Sequence, residues 1–362
     1  MKTLLTTTLT ILFTLFATAL MAQTVSVVDN TTGAPSGDHV FDNVEDAIEA
    51  ASAGDIIHIR PSTTNYSGFT VNKPLSIYGI GFNPDKQAPI RSRVSGTITI
   101  TAAGSGSVLS GLDLSTITFN GNPQNDPITN IRIEKNNLRG RIITQSSPQI
   151  NQLLIQRNIV GVSITNADID LGTSSNVSNV LILNNIFTDT RNSISVGNQA
   201  VISQNLFLAS GSGNNFAFSS IRNVQVQNNV FLGARPRGSS SSNVQFTTFE
   251  NNLLFGVSNP EFPVGENGNT GSNNLVGVNP QFVNLEPSNA DWDFDNWDAW
   301  LQPGSPAIGA GINGVDLGIF GGAAPFDLTM VPLPLIQAFQ VPGFIGTDDE
   351  LNVTIQARSS EN

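Results

Sequence analysis

The sequence contains no cysteine and only two histidines among 362 residues. Without thiols there is no disulfide scaffold, thiolate zinc site, cysteine nucleophile or lipid-bearing cysteine anchor. Charge is scarce as well: 12% of residues are Asp, Glu, Lys or Arg, about half the usual share. Lys and Arg number 16 against 28 Asp and Glu, a formal net charge of −12. Nucleic-acid backbones require clustered cations, so this acidic chain with scattered Lys and Arg implies no nucleic-acid partner. Long apolar runs are missing beyond the first residues, which leaves no later segment of about 18 residues to span a membrane. What is present is a hydrophobic content of 39%, sufficient for a core, together with 41 Asn and 33 Gly. Disorder is therefore unexpected. The Asn and Gly suggest many turns of one kind.

Residues 1–22 read as an export signal. Lys2 supplies a positive start, Ile11 to Leu20 a short apolar stretch, and Ala17-Thr18-Ala19 or Ala22 a small-residue cleavage site. A retained membrane helix is the alternative, although the run is short and interrupted by Thr. Removal of Lys2 leaves 15 basic and 28 acidic residues, a charge of −13. The expected location is outside the cell, secreted or on its surface, with no transmembrane segment after cleavage.

Six segments repeat one pattern: IRIEKNNL, LLIQRNI, VLILNNIF, AVISQNLF, VQVQNNVF and TTFENNLLF, with SNNLV a weaker seventh. Aligning them on Asn gives Asn137, Asn158, Asn185, Asn205, Asn229, Asn252 and Asn274, at intervals of 21, 27, 20, 24, 23 and 22 residues. The first copy carries one extra residue before its Asn pair, which leaves its register open by one. Within each copy the period is two, as in a strand. Ile155, Ile182, Ile202, Val226 and Phe249, three before the Asn, form one inward column. Leu153, Val180, Ala200, Val224 and Thr247, five before it, form another. Gln156, Ser203, Gln227 and Glu250 are expected to face solvent.

One such coil cannot bury its apolar face, whereas stacked coils can. Stacking at the ~4.8 Å strand spacing also aligns the Asn side chains, whose amides both donate and accept, into a ladder. Asn further tolerates the left-handed backbone of a sharp turn. A β-sandwich is the competing architecture, but it would show hairpin signals and no fixed Asn register.

Three stretches carry a resemblance to a known family: the opening FDNVEDAIEAASAGDIIHIRPSTTNYSGFTVNKPLSIYGIGF, the Asn-anchored repeat, and the closing LQPGSPAIGAGINGVDLGIFGG. The chain resembles the right-handed parallel β-helix proteins of the pectin-lyase-like superfamily, secreted bacterial members in particular, from about Thr24 to Gly322. The resemblance implies an all-β right-handed solenoid with an amphipathic capping helix at its N-terminal end. Val44, Ala47, Ile48 and Ala51 share one face of that helix, and Asp42 or Asn43 is placed to cap it. The expected organisation is 1–22 signal peptide, 23–325 parallel β-helix and 326–362 a strand-rich tail. That tail holds the runs LIQAFQV and LNVTIQA. Leu154, Leu181 and Val201 would form an outward apolar stripe, and a segment such as the tail is expected to cover it.

Lyases of this superfamily abstract a proton beside a uronate carboxylate and need a base and a cation. Arg139 and Arg141 alternate in LRGRI, with Arg157 one coil above, and are candidate catalytic or uronate-binding residues; a solvated strand edge, where charges block aggregation, is the plainer explanation. Arg235 and Arg237, in GARPRGSSSS, are candidate ligand contacts from a loop arching over a groove. His39 and His58 precede the repeats, and His58 is expected on a strand surface. No coil carries the Asp–His or Asp–Asp–Arg sets of the superfamily's hydrolases and esterases. The segment ADWDFDNWDAW holds all three Trp. Its Trp292, Trp297 and Trp300 suit sugar stacking, and Asp291, Asp293 and Asp295 suit calcium, although an EF-hand loop does not fit and aromatic packing on the last coils accounts for it too. No cofactor is required by this reading, and Ca²⁺ is possible. Two functions follow: a non-catalytic carbohydrate-binding or adhesive scaffold, or a polysaccharide lyase or glycosidase acting on an acidic glycan. A polysaccharide or cell-surface glycan is the expected partner.

Overall fold

A computed structural model describes residues 23–34, 36–81, 90–121, 126–161, 168–188, 190–191, 193–209, 215–285, 297–326, 335–340 and 353–358. The chain is an all-β parallel solenoid of about eight turns. Each turn contributes strands to three sheets of twelve, eight and nine strands, in which neighbours come from successive turns. In the central turns the strands run in parallel register: Ile155 pairs with Ile182, Ile182 with Ile202, and Ile202 with Val226.

Five repeat positions explain why the sequence winds this way. Residues five and three before the ladder Asn point inward, as expected: Leu153, Val180, Ala200, Val224 and Thr247 are buried, as are Ile155, Ile182, Ile202, Val226 and Phe249. The residue two after the Asn is also inward. There Phe187, Phe207 and Phe231 stack with centroids 4.7 Å apart, at interplanar angles of 6° and 5°. Stacking of aromatic rings adds about 0.5–1.5 kcal/mol per pair beyond area burial. The turns themselves sit at two left-handed positions. One is immediately before the ladder Asn, at Lys135, Arg157, Asn184, Gln204, Asn228, Asn251 and Asn273; the other is six before it, at Asn130, Gln152, Asn179, Gln199, Asn223 and Phe246, then Gly268. Left-handed backbone disfavours most side chains and suits Asn and Gly, which explains much of their abundance. The left-handed residue and the ladder Asn are thus neighbours, and the doublets Asn184-Asn185, Asn228-Asn229, Asn251-Asn252 and Asn273-Asn274 hold one of each.

The ladder runs Asn136, Asn158, Asn185, Asn205, Asn229, Asn252, Asn274. Each Oδ1 accepts from both the backbone N–H and the Nδ2 of the Asn one turn earlier, at 2.9–3.2 Å. Each Nδ2 also donates to the carbonyl three residues before the previous ladder position, such as Ile133, Ile155 and Ile182. From Asn158 to Asn252 both donors and both acceptors are filled, so burial of the amide leaves nothing unpaired. The first rung is therefore Asn136 and not Asn137. Asn136 is fully buried, while Asn137 opens the next strand, Asn137–Leu138, with its side chain on the outer face. The interval to Asn158 becomes 22 residues. Below Asn136 the ladder position is Leu112, whose N–H donates to Asn136 Oδ1 at 3.0 Å.

The helix Val44–Ala50 buries Val44, Ala47 and Ile48, and Asn43 caps it, its Oδ1 accepting the Asp46 N–H at 2.9 Å. These apolar side chains join the same core cluster as Val28 and Ile57 of the first strands.

Residues 305–326 form a strap on the outside of the solenoid. It leaves the last turns and descends toward earlier ones: Asn251 Nδ2 donates to Ala310 O, Asn228 Oδ1 accepts from the Ile312 N–H, and Asn184 Nδ2 donates to the Ile319 and Gly321 carbonyls. Finally, Arg157 Nε donates to Ala324 O at 3.3 Å. Under it lies a second apolar cluster, in which Ala307, Leu317, Ile319 and Phe326 pack on Ile159, Ile186, Leu206, Val230 and Leu253. Those five residues occupy the position directly after the ladder Asn. The covering segment and the covered stripe both differ from expectation: the strap shares only Phe326 with the expected tail, the stripe it covers is the one directly after the ladder Asn, and Leu181 stays 40% exposed. Gln156 and Ser203, expected to face solvent, are buried, whereas Gln227 and Glu250 are half-buried. The two tail runs form an antiparallel pair, Leu335–Gln340 with Thr354–Arg358.

Candidate functional site

Beyond the last strand of the eight-stranded sheet, Val244–Gln245, the repeat gives way to two loops that enclose a pocket of about 470 Å³. Arg237, Gly238 and Ser240 come from one loop, Glu261, Pro263, Glu266 and Asn267 from the other, and Val244 from the strand. The second loop is fixed by Asn269, which is buried, accepts the Thr247 N–H at 3.0 Å and donates to the Val244 carbonyl at 3.0 Å. This repeats the ladder's bonding in a different corner. The Asn269 N–H also donates to the Glu266 carbonyl at 2.7 Å, tying the pocket wall to the solenoid.

Arg237 Nη1 meets Glu261 Oε1 at 3.1 Å, with side chains 39% and 63% exposed. An ion pair this exposed contributes about 0–1 kcal/mol, so a ligand exchanges for it at little cost. Arg235 Nη2 donates to Ser258 Oγ at 3.1 Å, and the Arg237 guanidinium lies 5.8 Å from the Phe216 ring centroid. Beside the pocket stands Phe246, whose N–H donates to the carbonyl of Asn267 at 3.1 Å. It has φ 49° and is 54% exposed. A large aromatic in left-handed backbone is an outlier worth about 1–3 kcal/mol. The Arg222 guanidinium sits 4.6 Å from its ring centroid, and Arg222 also bonds Gln245. Sequence reasoning missed Phe246, Ser240, Glu261, Glu266 and Asn267. The one available signal was Phe246, which breaks a column of Asn and Gln.

The aromatic candidates are placed as follows. Trp300, on the strand Asp298–Leu301, is 51% exposed and stacks on Phe320 of the strap, with centroids 3.8 Å apart and planes at 3°. Trp297 is half-buried and packs against the second apolar cluster. Trp292, Asp291, Asp293 and Asp295 lie outside the described residues. Among the described residues no group of three or more His, Asp and Glu is placed to hold a metal ion.

Arg139, Arg141 and Arg157 do not form one patch. Arg139 bonds Asp113 on the nine-stranded sheet, Arg141 Nη2 bonds Asp170 on the eight-stranded sheet at 3.1 Å, and Arg157 is held under the end of the strap. They separate because the chain turns between strands Asn137–Leu138 and Ile142–Gln145, which interrupts strand alternation across LRGRI. Asp113 instead gathers Arg91, Arg93 and Arg139. His58 pairs in register with Val27 and Tyr78 and is half-buried, with Nε2 enclosed and without a hydrogen-bond partner among the described residues. Burial pushes its pKa down, and Arg60 adds to that.

No protein-family model and no curated protein matches the chain. Among the described residues no helix is long and apolar enough to cross a membrane, which leaves strand-built spans unaddressed.

Proposed function

We propose that the protein is an exported, right-handed β-solenoid that binds carbohydrate without cleaving it, through the pocket between residues 237–244 and 261–267. The observation that carries this reading is the pocket's composition. Arg237, Ser240, Glu261, Glu266 and Asn267 offer both donors and acceptors, as sugar hydroxyls require, and an exposed Phe246 stands beside them. One cation and two carboxylates give the lining a local charge of −1, and the chain carries −12. That balance favours neutral or amine-bearing sugars over polyuronates. Trp300, braced on Phe320, offers a second flat surface.

The test is affinity electrophoresis of the full chain through gels containing neutral, amino-sugar or uronate polysaccharides. Retardation by a neutral or amino-sugar polymer is expected, with its loss in Arg237→Ala and Glu266→Gln. Retention unchanged in both variants, or by none of the polymers, overturns the proposal. Glu261 and Glu266 in one pocket also motivate a glycosidase reading, since that chemistry uses two carboxylates. Release of reducing ends by the wild type, abolished in Glu261→Gln or Glu266→Gln, would establish hydrolysis in place of binding.

A further inference from the structure

The outer face of the nine-stranded sheet changes character along the solenoid. The position directly after the ladder residue is Ile159, Ile186, Leu206, Val230 and Leu253 where the strap covers it. In earlier turns the same column holds Asn137 and Asp113, and Arg93 pairs in register with Asp113 one turn further down. Near its end the strap reaches Arg157, whose Nε donates to Ala324 O, and the polar end of the column lies further down the stack, at Asn137, Asp113 and Arg93.

Here Asp113 is fully buried beneath three arginines. Arg93 Nε lies 2.9 Å and Arg91 Nη1 3.6 Å from its Oδ2, and Arg139 Nε bonds Oδ1. The three side chains keep 31%, 36% and 38% of their surface exposed, in the order Arg91, Arg93, Arg139. One carboxylate neutralises one guanidinium, so the cluster retains a charge of +2 within a chain of −12. Neutralising a buried Asp needs one arginine; three leave mutual repulsion that an incoming anion relieves. Arg93 and Arg139 hold Asp113 through Nε, which leaves their Nη hydrogens uncommitted among the described residues. Arg93 and Arg139 come from turns on opposite sides of Asp113, about two strand spacings or ~10 Å apart along the stack.

We propose that Arg91, Arg93 and Arg139, organised by Asp113, form a binding site for a tetrahedral oxyanion: a sulfate or phosphate group, free or as an ester. A carboxylate has two oxygens in one plane and satisfies one guanidinium fork. A sulfate or phosphate ester presents three terminal oxygens in different directions and meets donors arriving from separate turns. This site is separate from the carbohydrate pocket and does not rest on it.

The experiment measures the thermal midpoint of the full chain with sodium sulfate, sodium phosphate or sodium chloride at matched ionic strength. Sulfate or phosphate should raise the midpoint more than chloride does, with saturation. Arg91→Gln is the variant least able to disturb folding, because its 3.6 Å contact is the longest to Asp113 and two arginines remain. It should weaken the apparent affinity by about tenfold, the scale of one charge-assisted hydrogen bond, as should Arg139→Lys, which keeps the charge and loses the fork. Arg237→Ala, in the other pocket, should leave the response unchanged. Dextran sulfate separates the sources: half-saturation at a lower sulfate-group concentration than the free ion identifies a polymer-borne ester, and the reverse identifies the free ion. A midpoint shift no greater than that of chloride, or a full sulfate response in both Arg91→Gln and Arg139→Lys, overturns the proposal.

Discussion

Replacing Asn136 or Asn137 by alanine removes the same atoms from adjacent residues, and the ladder geometry predicts very different costs. Asn136 is fully buried. Its Oδ1 accepts the Leu112 N–H at 3.0 Å, and its Nδ2 donates to the Leu109 carbonyl at 3.0 Å and to Asn158 Oδ1 at 3.2 Å. In Asn136→Ala, Asn158 Oδ1 keeps the Asn136 backbone N–H at 3.0 Å and so stays satisfied. The Leu112 N–H and one bond to the Leu109 carbonyl are lost in a site closed to water. The stranded Leu112 N–H costs about 1–3 kcal/mol and the lost bond to the Leu109 carbonyl about 1 kcal/mol more, which places the total at about 2–4 kcal/mol. Asn137 is half-exposed, and Asn137→Ala should stay within about 0.5 kcal/mol, as surface substitutions do. Urea unfolding followed by far-UV circular dichroism measures both; the three Trp cluster outside the repeat and would report on their own neighbourhood. Equal midpoints for the two variants, or a larger loss in Asn137→Ala, would refute the ladder as the reason for the repeated Asn.

The strap should fail before the solenoid. Ile319→Ala empties a buried site, a change worth about 2–5 kcal/mol where it packs, and limited proteolysis should then cut within 305–326 while the far-UV spectrum is retained; global unfolding instead would mean that the strap and solenoid are one cooperative unit. Phe246→Asn should restore the Asn preference of its column and raise stability by about 1–2 kcal/mol, read as a higher urea midpoint, while weakening glycan retardation; a lower midpoint would show that the ring packs usefully where it stands. The folded chain depresses the pKa of His58, chiefly through burial, so the unfolded chain binds that proton more readily. Stability from this group is complete above the unfolded value of about 6.5 and is lost as pH falls through the folded pKa. Asp29 acts in the same direction at lower pH: hydrogen bonds from the Thr31 hydroxyl and N–H hold its carboxyl below the usual range, with a smaller contribution from Arg60. His58→Gln should flatten the midpoint between about pH 7 and 5, and an unchanged slope would assign the titration elsewhere.

The repeat was legible because stacking forces every turn to meet the same demands. Inward positions at two fixed offsets must be apolar, and one amide per turn must bond its copies, so periodicity alone exposes the two columns and most of the ladder. What stayed hidden depends on atoms that periodicity does not weigh. The doublet Asn136-Asn137 is ambiguous until hydrogen bonds separate the buried rung from its outward neighbour. The left-handed role belongs to the residue before the rung, where Lys135, Arg157 and Gln204 serve as well as Asn. Most apolar residues directly after the rung are outward and buried by the strap, a contact joining Arg157 to a residue 167 positions away, and no local pattern encodes that.

For the same reason, the places worth testing are where the repeat departs from itself. A solenoid position that obeys its column is explained by stacking, so its chemistry carries no further information. Leu112 stands where a rung should be and ends the ladder; Asp113 and Asn137 replace the apolar residue that the strap would cover, and three arginines gather on the exposed remainder of that face. Phe246 replaces Asn or Gln at a left-handed turn, and the polar pocket opens beside it. In each case a locally disfavoured residue coincides with surface that the fold leaves open. A residue kept at the expense of its own column's preference is better explained by the surface it builds, as Asp113 does through the three arginines it holds, than by what it adds to the stack.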